Sequence, residues 1–132
     1  MTLMKTVFLY LFTPLLTTTL LAEEPDWVLE STAPWRARDS QAEYAFGDRL
    51  WILGGWFRSD EAPPRDFWSS PDGIAWTRVT DATPMLHTDL PMNAVFRGRM
   101  WHLGGWYNGR LPGHSASNQV WAIQGCVVVT RP

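Results

Sequence analysis

Ala45-Phe46-Gly47-Asp48-Arg49-Leu50-Trp51-Ile52-Leu53-Gly54-Gly55-Trp56 returns fifty residues later as Val95-Phe96-Arg97-Gly98-Arg99-Met100-Trp101-His102-Leu103-Gly104-Gly105-Trp106, without a gap. The aromatic that follows each closing Trp matches too, Phe57 with Tyr107. Upstream, Thr32-Ala33-Pro34 lies one period before Ala82-Thr83-Pro84, and Trp27 corresponds to Trp76 at an offset of 49. Downstream, Phe67-Trp68 pairs with Val120-Trp121 at an offset of 53, which needs a three-residue insertion in the intervening loop. Self-similarity at a fixed period of this length marks a repeat architecture built from one supersecondary unit.

Within each repeat the local chemistry reads as strands. Tyr44 to Phe46 is a short apolar strand, and Gly47-Asp48, or Arg97-Gly98 in the second repeat, is a two-residue hairpin turn. Arg49 to Leu53 is the return strand. The double glycine then lets the backbone leave the sheet in conformations closed to other residues. A loop rich in Pro, Asp and Arg leads to a third strand, Asp66 to Ser69; Pro71-Asp72-Gly73 is a turn signal, and Ala75 to Val79 is a fourth strand. Four short antiparallel strands in about fifty residues make one blade of a β-propeller. The predicted fold class is all-β: two consecutive four-stranded antiparallel blades of an incomplete propeller.

These residues resemble the Kelch repeat, in the style of the galactose-oxidase-like propellers. The marks of that repeat are a hydrophobic strand, a double glycine, a spaced aromatic and a Trp on the outer strand. They stand here as Leu50-Trp51-Ile52-Leu53-Gly54-Gly55, Trp68 and Trp76, and again as Met100-Trp101-His102-Leu103-Gly104-Gly105 and Trp121. The resemblance covers roughly residues 27–121. Ser70-Pro71-Asp72-Gly73-Ile74-Ala75-Trp76 also resembles a shortened sialidase Asp-box, in which Asp72 ties down its own turn and Trp76 pins the hairpin to the blade. Two departures stand out. Propellers close with about 4–8 blades, and this chain holds about two. The second repeat also lacks the outer hairpin: Ile123-Gln124-Gly125-Cys126-Val127-Val128-Val129-Thr130 either pairs as a strand after a Gln124-Gly125 turn or is the out-of-frame end of an interrupted gene.

Residues 1–22 read as a secretory leader: Lys5, an apolar run from Val7 to Leu21, then Ala22 before the polar Glu23-Glu24-Pro25. Pro14 and the run Thr17-Thr18-Thr19 argue against a membrane anchor. Cleavage is expected after Ala22, giving a secreted or periplasmic chain with no membrane attachment. Residues 23–132 then form the blades, about 27–80 the first repeat and 81–132 the second, incomplete one. The formal net charge of -2 carries no nucleic-acid footprint, which would show as clustered Lys and Arg. Nine Trp in 132 residues is core-building material, each ring burying roughly 150–250 Å². The single Cys126 excludes an internal disulfide and a Cys-rich zinc site.

No catalytic constellation emerges, and neither a metal nor a cofactor is expected. His102 alternates with apolar neighbours on a strand, as a packed or hydrogen-bonded imidazole; His87 and His114 lie in loops. A copper site like galactose oxidase's needs His and Tyr ligands and a Cys cross-linked to Tyr, and Cys126 does not sit at that spacing. Asp60, Glu61 and Asp66 share their loop region with Arg58 and Arg65, a self-neutralising set. Ser115 adjoins His114, but chain neighbours rarely present both groups to one point as a nucleophile and its base require. The binding candidates follow each double glycine: Trp56 and Arg58, then Trp106, Tyr107 and Arg110. In Kelch proteins blade-connecting loops form the binding faces, and an aromatic beside an Arg suits a sugar face or an acidic group. Packing between blades is the alternative role for Trp56 and Trp106. The resemblance implies an exported scaffold that binds a protein or glycan; the alternative is a fragment of a secreted propeller enzyme, a sugar mutarotase, an oxidase or a sialidase. Because repeat units need neighbours to bury their faces, commonly at least three, the chain is expected to associate with itself or with other blades.

Overall fold

The computed structural model describes residues 25–107, 112–113 and 115–124. These residues are all-β, with no helix among them. The strands are β1 (Ala42–Ala45), β2 (Leu50–Leu53), β3 (Phe67–Ser70), β4 (Thr77–Thr80), β5 (Met92–Phe96), β6 (Arg99–Leu103), β7 (Trp106–Tyr107), β8 (Ser115–Ala116) and β9 (Val120–Ile123). They form an antiparallel sheet in the order β1-β2-β3-β4, a second in the order β5-β6-β9, and a two-stranded ribbon β7-β8. The second sheet thus has three strands among the described residues rather than the expected four. The tail from Gly125, expected either to pair as a strand or to end the gene out of frame, lies outside them.

The two repeats have one geometry. Gly47 and Asp48 (φ 58° and 54°) and Arg97 and Gly98 (φ 49° and 68°) build the same left-handed two-residue turn. Phe46 and Arg49 close the first of these with reciprocal backbone hydrogen bonds. The indole of Trp51 donates to the Phe46 carbonyl at 2.8 Å, and that of Trp101 donates to the Phe96 carbonyl at 2.9 Å. Asp39 bridges Trp56, and Asp89 bridges Trp106, by paired backbone hydrogen bonds.

Strand boundaries differ from the sequence expectation for identifiable reasons. Arg49 belongs to the hairpin closure rather than to the return strand, and β1 extends back to Ala42 because its ladder pairs Ala42 with Leu53. Ala75 and Trp76 are not strand residues. The Asp72 carboxylate captures the N–H groups of Ile74 and Ala75, each at 2.8 Å, so the turn runs on and β4 begins at Thr77.

Alternation along the first sheet puts Ala42, Tyr44, Trp51, Leu53 and Phe67 on one face. That face is buried against Met85, Met100, Trp121 and Ile123, the latter three on the opposing face of the second sheet. Trp51 stacks on Phe67 with ring centroids 5.2 Å apart. The innermost strands β1 and β5 lie side by side, where the Asn93 side chain donates to the Glu43 carbonyl. On the far face of the first sheet, Trp35 packs on Trp68 and edge-on against Trp76 at 4.6 Å.

Candidate functional site

Both double glycines sit where two chain segments approach too closely for a side chain. Gly55 (φ 97°) would place a Cβ 2.6 Å from the Asp39 carbonyl oxygen, and Gly105 (φ 92°) one 2.9 Å from that of Asp89. The close approach allows each Asp–Trp bridge. The Gly55 N–H donates to the Thr88 carbonyl at 2.9 Å and the Leu90 N–H to the Ser40 carbonyl at 3.1 Å, joining the two bridges across the repeats. Trp56 and Trp106 are thereby held at one end of the paired sheets. Trp56 is half-buried and Trp106 is 43% exposed.

Around Trp56 the loop is charged and internally paired. Arg58 holds the Asp60 carboxylate through Nε at 2.6 Å and through Nη2, and reaches Glu61 at 3.3 Å. Its hydrogen bond holds the Asp60 carboxyl below the usual carboxylate range. Arg36 donates to Glu61 at 2.9 Å while its guanidinium lies 3.7 Å over the Phe57 ring. This surface offers guanidinium forks, carboxylate oxygens and an aromatic face where the loop around Trp56 meets Arg36 from the segment before β1. Of the other sequence candidates, Tyr107 is the second residue of β7, and Arg110 lies outside the described residues.

Two polar clusters have partners that the sequence does not name. The Arg38 guanidinium, fully buried, grips Asp66 at 2.5 and 2.8 Å and the Gly54 carbonyl at 3.0 Å; the Trp68 indole adds a bond to Asp66 at 2.7 Å. Burial alone would raise the Asp66 carboxyl, but the bonds from Arg38 and Trp68 outweigh it and hold it low. In the core, His102 lies between the Tyr44 hydroxyl (3.1 Å from Nδ1) and the Thr88 hydroxyl (3.1 Å from Nε2). Burial pushes the His102 imidazole down to about 4, and burial followed by the Glu43 charge pushes the Tyr44 hydroxyl up. His102 therefore serves as a neutral cross-link between the sheets. His87 Nδ1 meets the Pro63 carbonyl, while His114 lies outside the described residues. No spacing in the sequence announces the partners of these contacts.

The Ser70 hydroxyl accepts from Gly73 N–H at 2.8 Å, and the Trp76 indole donates to the Gly73 carbonyl at 2.9 Å. The Trp121 indole repeats the Trp68 arrangement on the Gln119 carboxamide at 2.9 Å. Among the described residues no three His, Cys, Asp or Glu side chains converge as a metal set, and no helix is long and apolar enough to cross a membrane. A scan against protein-family models finds no match to the chain, and a search of curated proteins finds none.

Proposed function

We propose that the chain is an exported module of a Kelch-type propeller that binds a glycan or protein through the loops at its double-glycine end, without catalysis of its own. The observation that carries this reading is the duplicated Asp–Trp bridge behind Gly54-Gly55 and Gly104-Gly105. It holds Trp56 and Trp106, which follow the two double glycines, at one end of the sheets. The exposed Trp106 indole supplies an apolar plane for a sugar ring, and the Arg36–Arg58–Asp60–Glu61 cluster supplies donors and acceptors. Where carboxylates and guanidiniums are already paired, a ligand exchanges hydrogen bonds rather than protons, which favours recognition over acid–base work.

A glycan array probed with the purified chain tests this. Binding is expected to fall about tenfold in Trp106→Ala, equivalent to about 1.4 kcal/mol, with the β-sheet spectrum unchanged. Array binding that Trp106→Ala and Arg58→Ala both leave intact would refute the loop assignment. Turnover of a free sugar by the chain would refute the non-catalytic reading.

A further inference from the structure

Charge is divided unevenly along the chain. All 13 Asp and Glu precede Leu90, whereas residues 90–132 carry Arg97, Arg99, Arg110 and Arg131 and no acid. Arg36, Arg38, Arg58 and Arg78 each hold an Asp or Glu. Among the described residues Arg97 and Arg99 form no ion pair, and the sequence beyond Gln124 contains no Asp or Glu to offer them. Arg99 meets a neutral acceptor, the Gln124 carboxamide, whose oxygen when turned towards it lies 3.1 Å from Nη1.

Both guanidiniums line one hollow of about 340 Å³ at the β5–β6 turn, together with Phe96 and Trp101. Phe96 is 58% exposed and Trp101 half-buried. The Arg97 guanidinium lies 5.1 Å over the Phe96 ring, and the bond from the Trp101 indole to the Phe96 carbonyl anchors the second ring. The hollow lies at the end of β6 away from Gly104-Gly105, so it is separate from the post-glycine loops. Two positive charges facing one hollow repel each other, a cost that a bound anion removes. The first repeat is different at the same turn. Its hollow, of about 540 Å³, is lined by Phe46, Gly47 and Arg49 but also by Asp48 and Asp72. Arg49 there donates to the Ser69 hydroxyl at 3.1 Å, and the place of Ser69 in the second repeat is taken by Ala122. The backbone adds an independent observation. Arg97 takes φ 49° where the first repeat has Gly47 at φ 58°. That turn position favours Gly, Asn or Asp, and a large side chain held there is the kind of strain that clusters at ligand-binding positions.

We propose that the hollow at the β5–β6 turn binds an acidic sugar, its ring against Phe96 and Trp101 and its sulfate ester or carboxylate on the Arg97 and Arg99 guanidiniums. A guanidinium presents a planar fork of donors that matches an oxyanion. An aromatic face gives the apolar side of a sugar ring a surface to lie on. The volume is at the small end of ligand pockets, which run about 300–1,000 Å³, so the hollow suits a short sugar. The rest of the chain points the same way. Every Asp and Glu lies in residues 23–89, and that field repels a long polyanion such as a nucleic acid while leaving the β5–β6 turn open to one short anionic unit. The site goes beyond the glycan or protein recognition proposed for the double-glycine end, and each can hold without the other.

Calorimetric titration of the purified chain with a sulfated disaccharide, a uronate disaccharide and a neutral disaccharide tests this. An acidic sugar is expected to bind and the neutral one not; which acid binds tells the ester from the carboxylate. Arg97→Gly gives the second turn the glycine of the first. It should weaken acidic-sugar binding about tenfold without lowering the urea midpoint, because the left-handed strain is relieved. Arg97→Gly combined with Gly98→Asp copies the first repeat's turn, a pair that already takes φ 58° and 54° at Gly47 and Asp48, and should abolish binding. Arg78→Ala removes a guanidinium from β4 of the first sheet and should leave binding unchanged. Binding of neither acid, equal binding of the neutral sugar, full binding by the copied turn, or an equal loss in Arg78→Ala overturns the proposal. So does a loss in Arg97→Gly that only follows a fall in the urea midpoint. None of these readouts involves Trp106 or Arg58, so failure here is distinct from failure of the loop assignment.

Discussion

His102 shows how one buried side chain makes the contact between the sheets sensitive to pH. It is 1% exposed and has no carboxylate partner; its neighbours are the hydroxyls of Tyr44 and Thr88. Its folded value of about 4 lies below the ordinary 6.5, so the unfolded chain binds the extra proton. Stability is therefore complete above pH 6.5 and falls as pH drops towards 4, by about 3 kcal/mol for this group. Urea titrations between pH 7 and pH 4.5 should show that loss, and His102→Asn should flatten it; an equal slope in both proteins would rule His102 out as its source. Asp66 and Asp72, both held low, add their losses only at more acid pH. Asp72 has a separate structural task, since its carboxylate accepts from Ile74 and Ala75 and so places the start of β4. Asp72→Ala should lower the urea midpoint, whereas Asp72→Asn, which keeps an acceptor oxygen, should recover most of the loss.

At the scale of strands and turns, glycine positions with one backbone sign differ sharply in surroundings. Gly98 (φ 68°) has open space where a Cβ would go, whereas Gly55 would drive one into the Asp39 carbonyl and the Arg38 and Gln41 side chains. Gly98→Ala should cost about 1 kcal/mol, the left-handed strain alone. Gly55→Ala adds a collision with backbone that cannot step aside, and should cost at least about 3 kcal/mol or prevent folding; equal midpoints for the two variants would contradict the close-approach account. The turns and double glycines were legible in the sequence because their chemistry is local: only a few residues accept a positive φ. The third and fourth strand starts were displaced because Asp66 and Asp72 spend their carboxylates on Arg38, Trp68 and the turn backbone. Nor did any pattern in the chain announce Arg38–Asp66 or Tyr44–His102, which join residues 28 and 58 positions apart. The first is made by segments that meet beside one sheet, the second by stacking one sheet on the other. The post-glycine loops were legible as candidates through the matching Trp56 and Trp106, and Arg58 as part of a self-neutralising set with Asp60 and Glu61, but the reach of Arg36 to Glu61 and over Phe57 shows only in three dimensions.

For the whole molecule, the core is a single contact between two sheets, and each sheet keeps one face that this contact does not use. Leu53 lies inside the contact, buried to 2% exposure, while its counterpart Leu103 lies on the open face and is half-buried. Leu53→Ala removes packed methyl groups and should cost about 2–5 kcal/mol at any protein concentration. Leu103→Ala should cost much less in dilute solution, where that face meets water in both variant and parent. If copies stack, the two positions become equivalent as concentration rises, and the penalty at Leu103 should climb towards that at Leu53. The parent's melting temperature should rise as well, because association with the folded form alone stabilises by about 1.4 kcal/mol for each tenfold excess over the dissociation constant. Calorimetry across a hundredfold range of concentration reads both effects in one series. A midpoint that stays fixed over that range, with Leu103→Ala as mild at the top as at the bottom, would mean that the open face remains in water and that the two sheets hold each other up alone.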